Sequence, residues 1–334
     1  MKAYVLEGIN DLRYEDVREP EPEDGWVLVK VGACGICSSD IPRIFTKGTY
    51  HFPTIPGHEF AGTVVKAHDA EGEKWVGKRV GVFPLIPCRK CPQCLEKKYE
   101  MCEHYDYTGS RRDGAFAEYV AVPAWNLIEL PENVSLEEAA MLEPLSVAVH
   151  AVKRADIRDG MTVGVVGTGM IGISVGKWAQ SFGAGKVVVL GRGEGKRDLV
   201  ENAGLEYELL NTCEERFDRV IEAVGTPEAV EQAVLSAKAE GRIVFMGNPS
   251  GDITLKQDVY WSILRKQLTI TGTWNSSYES CEKCDWTDAV SAISSGKINV
   301  RALISHSIDK EDLDKGLKIM RDHSEPYCRI ISRW

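Results

Sequence analysis

A glycine-rich turn between an apolar strand and a helix is the feature that most constrains this sequence. The stretch TVGVVGTGMIG (162–172) is an apolar run that leads into Gly167-x-Gly169-x-x-Gly172. A segment with helical spacing follows, and then KVVVL (186–190) predicts a second buried strand. Strand, tight turn, helix and strand in this order indicate a βαβ unit, in which the glycines have defined uses.

The three glycines suit a dinucleotide: the first makes the turn, the second admits the pyrophosphate, and the third packs helix on strand. The helix start at Met170 and Ile171 supplies N–H groups and a positive dipole end. Further buried strands are predicted at 218–225, 241–247 and 267–274, with helical stretches between them. The pattern predicts a doubly wound parallel sheet, the Rossmann fold.

The end of the second strand of this unit bears on the choice of nicotinamide cofactor. An NAD enzyme normally has an acid there that holds the ribose 2′-OH. Here the position is Gly191, followed by Arg192, with Lys196 and Arg197 close behind. A glycine leaves room for a 2′-phosphate, and Arg192 can pair with it. The loop therefore predicts NADP(H) in preference to NAD(H); the alternative is a solvated basic loop.

Four thiols lie within fifteen residues in the spacing C-x2-C-x2-C-x7-C: Cys88, Cys91, Cys94 and Cys102. Four soft anionic sulfurs fit tetrahedral Zn²⁺, and a site with four protein ligands is closed to substrate. The lobe is therefore predicted to be a structural zinc site, with an iron–sulfur cluster as the alternative. A second C-x2-C, Cys281 and Cys284, has no partner pair nearby and is interpreted as packed or solvent-facing thiols.

Length and charge limit the possible classes of partner. The 334 residues predict two domains, and the net charge of −10 argues against nucleic acid or an anionic membrane as the main partner. No apolar run is long enough for a secretory signal or a membrane span. We therefore expect a cytoplasmic protein with reduced cysteines, which favours metal ligation over disulfides in the clustered set.

The first half of the chain contains a mixed set of possible metal ligands. Cys37 lies in CGICSSD, His58 and Glu59 lie in PGHEFAG, and Glu143 begins EPLSVAVH. A cysteine, a histidine and a carboxylate from Glu59 or Glu143 are the sulfur, nitrogen and oxygen donors that catalytic zinc uses, with a position left for substrate.

In these motifs, their order and the glycine turn, the whole chain resembles the zinc-dependent medium-chain alcohol and polyol dehydrogenases. The resemblance implies that Cys37, His58 and Glu143 bind catalytic zinc and that Glu59 is a ligand exchanging with water. Asp40 would orient the His58 ring. Ser39 would relay the alcohol proton, and the four-cysteine lobe would hold a second zinc, giving two per subunit.

The resemblance also implies a layout. A β-rich, GroES-like catalytic domain, 1–148, would be completed by 275–334, with the Rossmann domain, 149–274, inserted between them. The family's members are usually dimers or tetramers, so we expect a homodimer or homotetramer. The overall fold class is thus α/β, and the predicted chemistry is interconversion of a secondary alcohol and a ketone.

Substrate residues are predicted from the polyol branch, and especially from the galactitol-1-phosphate 5-dehydrogenase group. The segments SSDIPRIFTKGTY, YTGSRRDGAFAEY and ILRKQLTITGTWN resemble that group. They indicate a polyol, polyol phosphate or ketose as substrate and suggest cleft residues: Arg43, Tyr50, Arg111, Arg112 and Trp274. Alternatively, Arg111 and Arg112 hold the loop beneath the site. Other possible functions are an L-threonine 3-dehydrogenase, a plain secondary-alcohol dehydrogenase, or a non-catalytic NADPH- and zinc-binding redox sensor.

Overall fold

The structure is a computed structural model that describes residues 1–249, 251–280 and 282–334. It divides into two compact units, Met1–Glu143 with Ser277–Trp334, and Pro144–Ser276. Cys281 of the second C-x2-C pair lies outside the described residues, whereas Cys284 is buried at the start of a helix.

Seventeen strands are present in the described parts of the chain: β1 (Lys2–Gly8), β2 (Asp11–Asp16), β3 (Trp26–Gly35), β4 (Glu59–Ala67), β5 (Arg79–Val82), β6 (Leu85–Ile86), β7 (Asp106–Tyr107), β8 (Tyr119–Pro123), β9 (Leu127–Glu129), β10 (Thr162–Val166), β11 (Lys186–Gly191), β12 (Glu206–Leu209), β13 (Phe217–Glu222), β14 (Ala237–Phe245), β15 (Thr269–Gly272), β16 (Ile304–Asp309) and β17 (Arg329–Arg333).

The helices, several of them single turns, are α1 (Asp40–Pro42), α2 (Ala70–Glu73), α3 (Pro92–Leu95), α4 (Leu136–Ala139), α5 (Leu142–Ala155), α6 (Met170–Ser181), α7 (Arg197–Asn202), α8 (Pro227–Ser236), α9 (Gln257–Arg265), α10 (Asp285–Ser294) and α11 (Leu313–Asp322). Of these described helices, none combines the length and apolar character that crossing a bilayer requires.

The first unit is built on a seven-stranded sheet in which β17, β3, β4 and β5 are antiparallel neighbours. Alternate side chains of β3 and β4 enter a core with valines, Phe60 and Phe116. The register matters for function, because Gly35 pairs with both Glu59 and Ile331. The end of β3, the start of β4 and the start of β17 therefore meet at one edge of the sheet.

The second unit is a six-stranded, wholly parallel sheet in the order β12-β11-β10-β13-β14-β15. This is the order of the Rossmann fold. The valine runs of β10 and β11 are buried, as continuous apolar strands covered on both faces should be. The predicted fold class is confirmed. One detail was wrong: the strand predicted as buried at 267–274 is β15, an edge strand whose Thr269, Ile270 and Gly272 are exposed.

Candidate active site and metal centres

Three predicted donors converge at the sheet edge in the first unit. Cys37 follows the end of β3, His58 immediately precedes β4 and Glu59 begins it, and Glu59 pairs with Gly35, so the strand register brings the three together. One donor atom from each lies within 4.8 Å of the other two. His58 and Glu59 are buried and Cys37 is half-buried. A thiol, an imidazole and a carboxylate at this spacing suit an open zinc site.

Asp40 fixes the surroundings of Cys37 and His58. Its carboxylate is fully buried and accepts hydrogen bonds from the Cys37 backbone N–H at 3.0 Å and the Arg43 guanidinium at 2.6 Å. Burial opposes ionisation, but His58 and Arg43 outweigh it and hold the pKa of Asp40 below its usual range. The His58 Nδ1 lies 3.5 Å from Asp40 Oδ1, a contact longer than a hydrogen bond, on the side where a zinc-bound ring needs an acceptor.

Ser39 lies directly against the Cys37 sulfur. Its hydroxyl donates to Sγ at 3.2 Å, and its backbone N–H approaches the same sulfur at 3.5 Å. Both donors stabilise negative charge on the sulfur, which is the form that ligates a metal. The hydroxyl is therefore next to the donor set.

Glu143 lies beside this cluster but is not part of it. It is buried near the start of α5, and its Oε1 accepts a hydrogen bond from the Tyr107 hydroxyl at 3.3 Å. Burial and the nearby charge of Glu59 raise the pKa of Glu143 to about 7. A cation between these two buried carboxylates would offset the repulsion between their negative charges, so the site fits a divalent metal.

Arg329 and Tyr107 are site residues that the sequence reasoning missed. Arg329 opens β17 and is buried; its Nη1 donates to Glu59 Oε2 and, at 2.7 Å, to the Ile36 carbonyl. Its signal in the sequence is a charged residue opening a buried apolar strand, because a buried charge requires a partner. Tyr107 gave no comparable signal in YDYTG.

The four cysteines of the lobe also converge, with donor atoms within 4.8 Å of one another. Cys88 and Cys94 sulfurs are 4.0 Å apart, and those of Cys91 and Cys102 are 3.9 Å apart. Sulfurs about 2.3 Å from a tetrahedral zinc are about 3.8 Å from one another. Backbone hydrogen bonds from Glu103 and Cys94 lower the pKa of Cys91 to about 6, whereas burial raises the pKa values of Cys94 and Cys102. A bound cation would stabilise all four sulfurs as thiolates. The lobe therefore fits a closed zinc site.

In the second unit, the glycine turn leaves space at the start of α6. Gly167 has φ of +126°, a conformation open to glycine alone among common residues. A Cβ on Gly172 would lie 2.0 Å from the Gly167 carbonyl oxygen, whereas one on Gly169 would meet nothing within 4 Å. Gly172 thus lets helix and turn approach, and Gly169 leaves the open space that a pyrophosphate needs beside Met170 and Ile171.

The basic residues of the loop after β11 differ in whether they are already paired with an acid. A Cβ on Gly191 would lie 2.3 Å from the Tyr207 hydroxyl, so an acid is excluded there unless Tyr207 moves. Arg192 is exposed and has no ion pair among the residues described. Arg197 is engaged by Glu194 and Glu201, and Lys196 also has a partner. Arg192 is therefore the basic side chain most available to an anion.

The predicted substrate residues are less clearly assembled. Arg43 is bound to Asp40 and Arg112 to Asp106, at 2.9 Å. Arg111 is stacked between Tyr50 and Tyr105, at 4.3 and 4.5 Å from the ring centres. These contacts favour the alternative in which Arg111 and Arg112 hold the loop.

A cavity of about 600 Å³ in the first unit is lined by both of these arginines and by none of the four candidate zinc ligands. It is therefore separate from the donor set. Trp274, in the second unit, is about half exposed.

Comparison with known proteins identifies the family. Residues 23–132 match the alcohol dehydrogenase GroES-like domain, and residues 170–295 match the zinc-binding dehydrogenase family. The chain is 31% identical to galactitol 1-phosphate 5-dehydrogenase of Escherichia coli, over 90% of each chain. It is 33% identical to D-xylulose reductase A of Aspergillus oryzae, over 94% of this chain and 91% of that one.

Solved structures agree. The crystal structure of galactitol-1-phosphate dehydrogenase from Escherichia coli matches with a TM-score of 0.91 and 30% identity over all of both chains. A zinc-binding dehydrogenase from Sinorhizobium meliloti bound to NADP matches with a TM-score of 0.90 and 28% identity, over 100% of this chain and 99% of that one. An Escherichia coli alcohol dehydrogenase complexed with NADH matches with a TM-score of 0.91 and 26% identity, over 100% of this chain and 99% of that one.

The chain belongs to the zinc-dependent medium-chain alcohol dehydrogenase family, as its motifs predicted. It is an oxidoreductase of the alcohol and polyol dehydrogenase type.

Proposed function

We propose that this enzyme interconverts a secondary alcohol and a ketone on a polyol or polyol phosphate. The observation that carries the proposal is the convergence of Cys37, His58 and Glu59, with Glu143 beside them, in a chain that also has the glycine turn. The polyol class is supported by relatives named for galactitol 1-phosphate, xylulose and erythritol or threitol.

In this proposal Cys37, His58 and a carboxylate from Glu59 or Glu143 hold the catalytic zinc, and the four cysteines hold a structural one. Zinc in an open site supplies Lewis-acid polarisation of a substrate oxygen. Asp40 holds the His58 ring, and the Ser39 hydroxyl passes on the alcohol proton. Gly169 and the first N–H groups of α6 would hold the cofactor pyrophosphate, and the nicotinamide would supply or accept the hydride.

The test combines metal counting with a substrate screen. Two zinc ions per chain are expected, together with nicotinamide absorbance changes on sugar alcohols, their phosphates or the matching ketoses. L-threonine and simple secondary alcohols serve as the competing arms, and greater turnover of either would replace the polyol assignment. One zinc and no turnover on any arm would support the redox-sensor alternative.

The proposed cofactor is NADP(H), supported by the lack of an acid at Gly191 and by the exposed Arg192, which has no ion pair among the described residues. The expected room beside Gly191 itself is filled by Tyr207, so the preference depends on Arg192. Arg192→Ala is expected to lower kcat/KM with NADP(H) about tenfold, because one charge-assisted pair is worth about 1.5 kcal/mol or more. The value with NAD(H) should hardly change. Steady-state kinetics with both cofactors measures this.

Lys238→Ala is the matched control: Lys238 pairs with Asp218 in the same unit, away from the loop after β11. It should leave the ratio of the two kcat/KM values as it was. Equal use of NADP(H) and NAD(H) by the unaltered enzyme would refute the proposed preference.

We also propose a homo-oligomer assembled through the second unit. Tyr260, Trp261 and Leu264 on α9 are about half exposed, and so is Ile270 on the edge strand β15. Large apolar side chains beside an unpaired strand edge mark an association surface, and a twofold axis allows one copy of the patch to cover another. We also propose a cytoplasmic location, which is supported by the nine described cysteines, all of them free thiols.

Trp261→Glu is expected to convert the oligomer to monomers, since two added charges would face each other at a twofold contact. Light scattering coupled to gel filtration measures the mass. Val76→Glu, an equally polar change at an exposed apolar position of the first unit, should leave the mass unchanged. A wild-type monomer, or an unaltered oligomer in Trp261→Glu, would contradict this interface.

A further inference from the structure

Two carboxylates lie at the candidate catalytic site, Glu59 within the donor set and Glu143 beside it, and each has a different partner. Glu59 is bound by the Arg329 guanidinium, which is buried and charged. Glu143 is bound by the hydroxyl of Tyr107, and this is the one side-chain hydrogen bond to it among the residues the structure describes. A guanidinium neutralises a carboxylate, whereas a phenol donates a hydrogen bond and leaves the negative charge in place.

Tyr107 is held firmly where its hydroxyl meets Glu143. It pairs with Leu85 in the β6–β7 ladder, and its carbonyl accepts N–H bonds from Arg111 at 2.9 Å and Arg112 at 3.1 Å. Its ring packs edge-on against His58, with centres 5.7 Å apart. A phenol keeps its proton at neutral pH, so the hydroxyl is a neutral donor.

We propose that Tyr107 is a positioning residue that holds the Glu143 carboxylate in the orientation in which it ligates the catalytic metal. This rests on the proposed function. Although Glu59 is the carboxylate closer to Cys37 and His58, its charge is committed to Arg329. The printed partner of Glu143 is a neutral hydroxyl, that of Tyr107, and this hydrogen bond fixes the direction in which the carboxylate points. Hydrogen bonds to ligating carboxylates tune metal affinity in this way.

The experiment uses the full chain with Co²⁺ as the probe in the catalytic site, after the structural site has been loaded with zinc. Tyr107→Phe is expected to weaken Co²⁺ binding about tenfold and to change its visible ligand-field bands, as loss of such a support does. Tyr105→Phe is the matched control, because the Tyr105 hydroxyl makes no hydrogen bond among the described residues. It should bind Co²⁺ like the unaltered chain.

A second background decides how Tyr107 acts. In Glu143→Ala, adding Tyr107→Phe should cost less than about twofold in Co²⁺ affinity, because the acceptor is gone. An equal loss in both backgrounds, no loss in either, or failure of Tyr107→Phe to fold would overturn the inference. An unaltered chain that binds one metal and has no turnover would overturn the proposed function as well, so the two failures are distinguishable.

Discussion

Replacing Cys37 with serine is expected to abolish turnover while leaving the cofactor bound. The sulfur is the one soft donor in the cluster, and Ser39 donates to it from two directions. A serine hydroxyl is a poor zinc ligand at neutral pH, because it keeps its proton. Losing Lewis-acid stabilisation worth several kcal/mol should lower kcat about a thousandfold or more.

The measurement pairs kinetics with metal content and cofactor binding. Cys37→Ser should retain one zinc, that of the four-cysteine lobe, and should bind NADPH with unaltered affinity by fluorescence titration. Cys213→Ser is the control, since Cys213 is a half-buried thiol of the second unit that belongs to no metal donor set among the residues described. Substantial turnover by Cys37→Ser would remove the basis of the proposed mechanism.

Much of the second unit was predictable because its signals are local. Parallel strands buried on both faces are continuous apolar runs, so β10 and β11 are plain in the sequence. Gly167 and Gly172 mark the turn because no side chain fits there. The exposure of β15 was not predictable, because the sequence pattern of a strand does not show whether the strand lies in the centre of a sheet or at its edge.

The candidate site was only partly predictable because its geometry is set by distant segments. Cys37, His58 and Glu59 were found as short motifs, and the β3–β4 register explains why they meet. Arg329 contacts Glu59 across 270 residues of sequence, and this contact depends on β17 pairing with β3. No local pattern encodes such a pairing, although an arginine at the start of a buried strand indicates that an acid must lie opposite it.

The arginines predicted to bind substrate show that the charge of a residue does not by itself predict its role. Arg43, Arg111 and Arg112 were selected for their charge, yet each is engaged by its neighbours in the folded chain. The sequence shows that an arginine is present, but it does not show whether that arginine is already paired with neighbouring groups in the folded chain. Resemblance to one polyol group therefore supports the substrate class more strongly than it supports any single arginine as the phosphate ligand.

Replacing Gly172 with alanine should disable the second unit's cofactor site and leave the first unit's metals in place. The new Cβ would lie 2.0 Å from the Gly167 carbonyl oxygen and 2.9 Å from its carbon, so either α6 or the turn must move. Such overpacking costs about 1–3 kcal/mol, and displacing α6 moves its first N–H groups from the pyrophosphate. We expect NADPH affinity to fall about tenfold to a hundredfold, with two zinc ions per chain retained.

Gly169→Ala separates the two causes within this effect. Its Cβ would meet no protein atom within 4 Å and its backbone is extended, so the fold should keep its thermal stability. It would occupy the space left for the pyrophosphate and should still weaken NADPH binding. Gly172→Ala should lose both stability and affinity, as measured by thermal melts and fluorescence titration. Wild-type affinity in both variants would show that the cofactor does not bind at this turn. If the pyrophosphate binds there, Gly169→Ala must weaken binding by filling its space, and Gly172→Ala must weaken it by displacing α6.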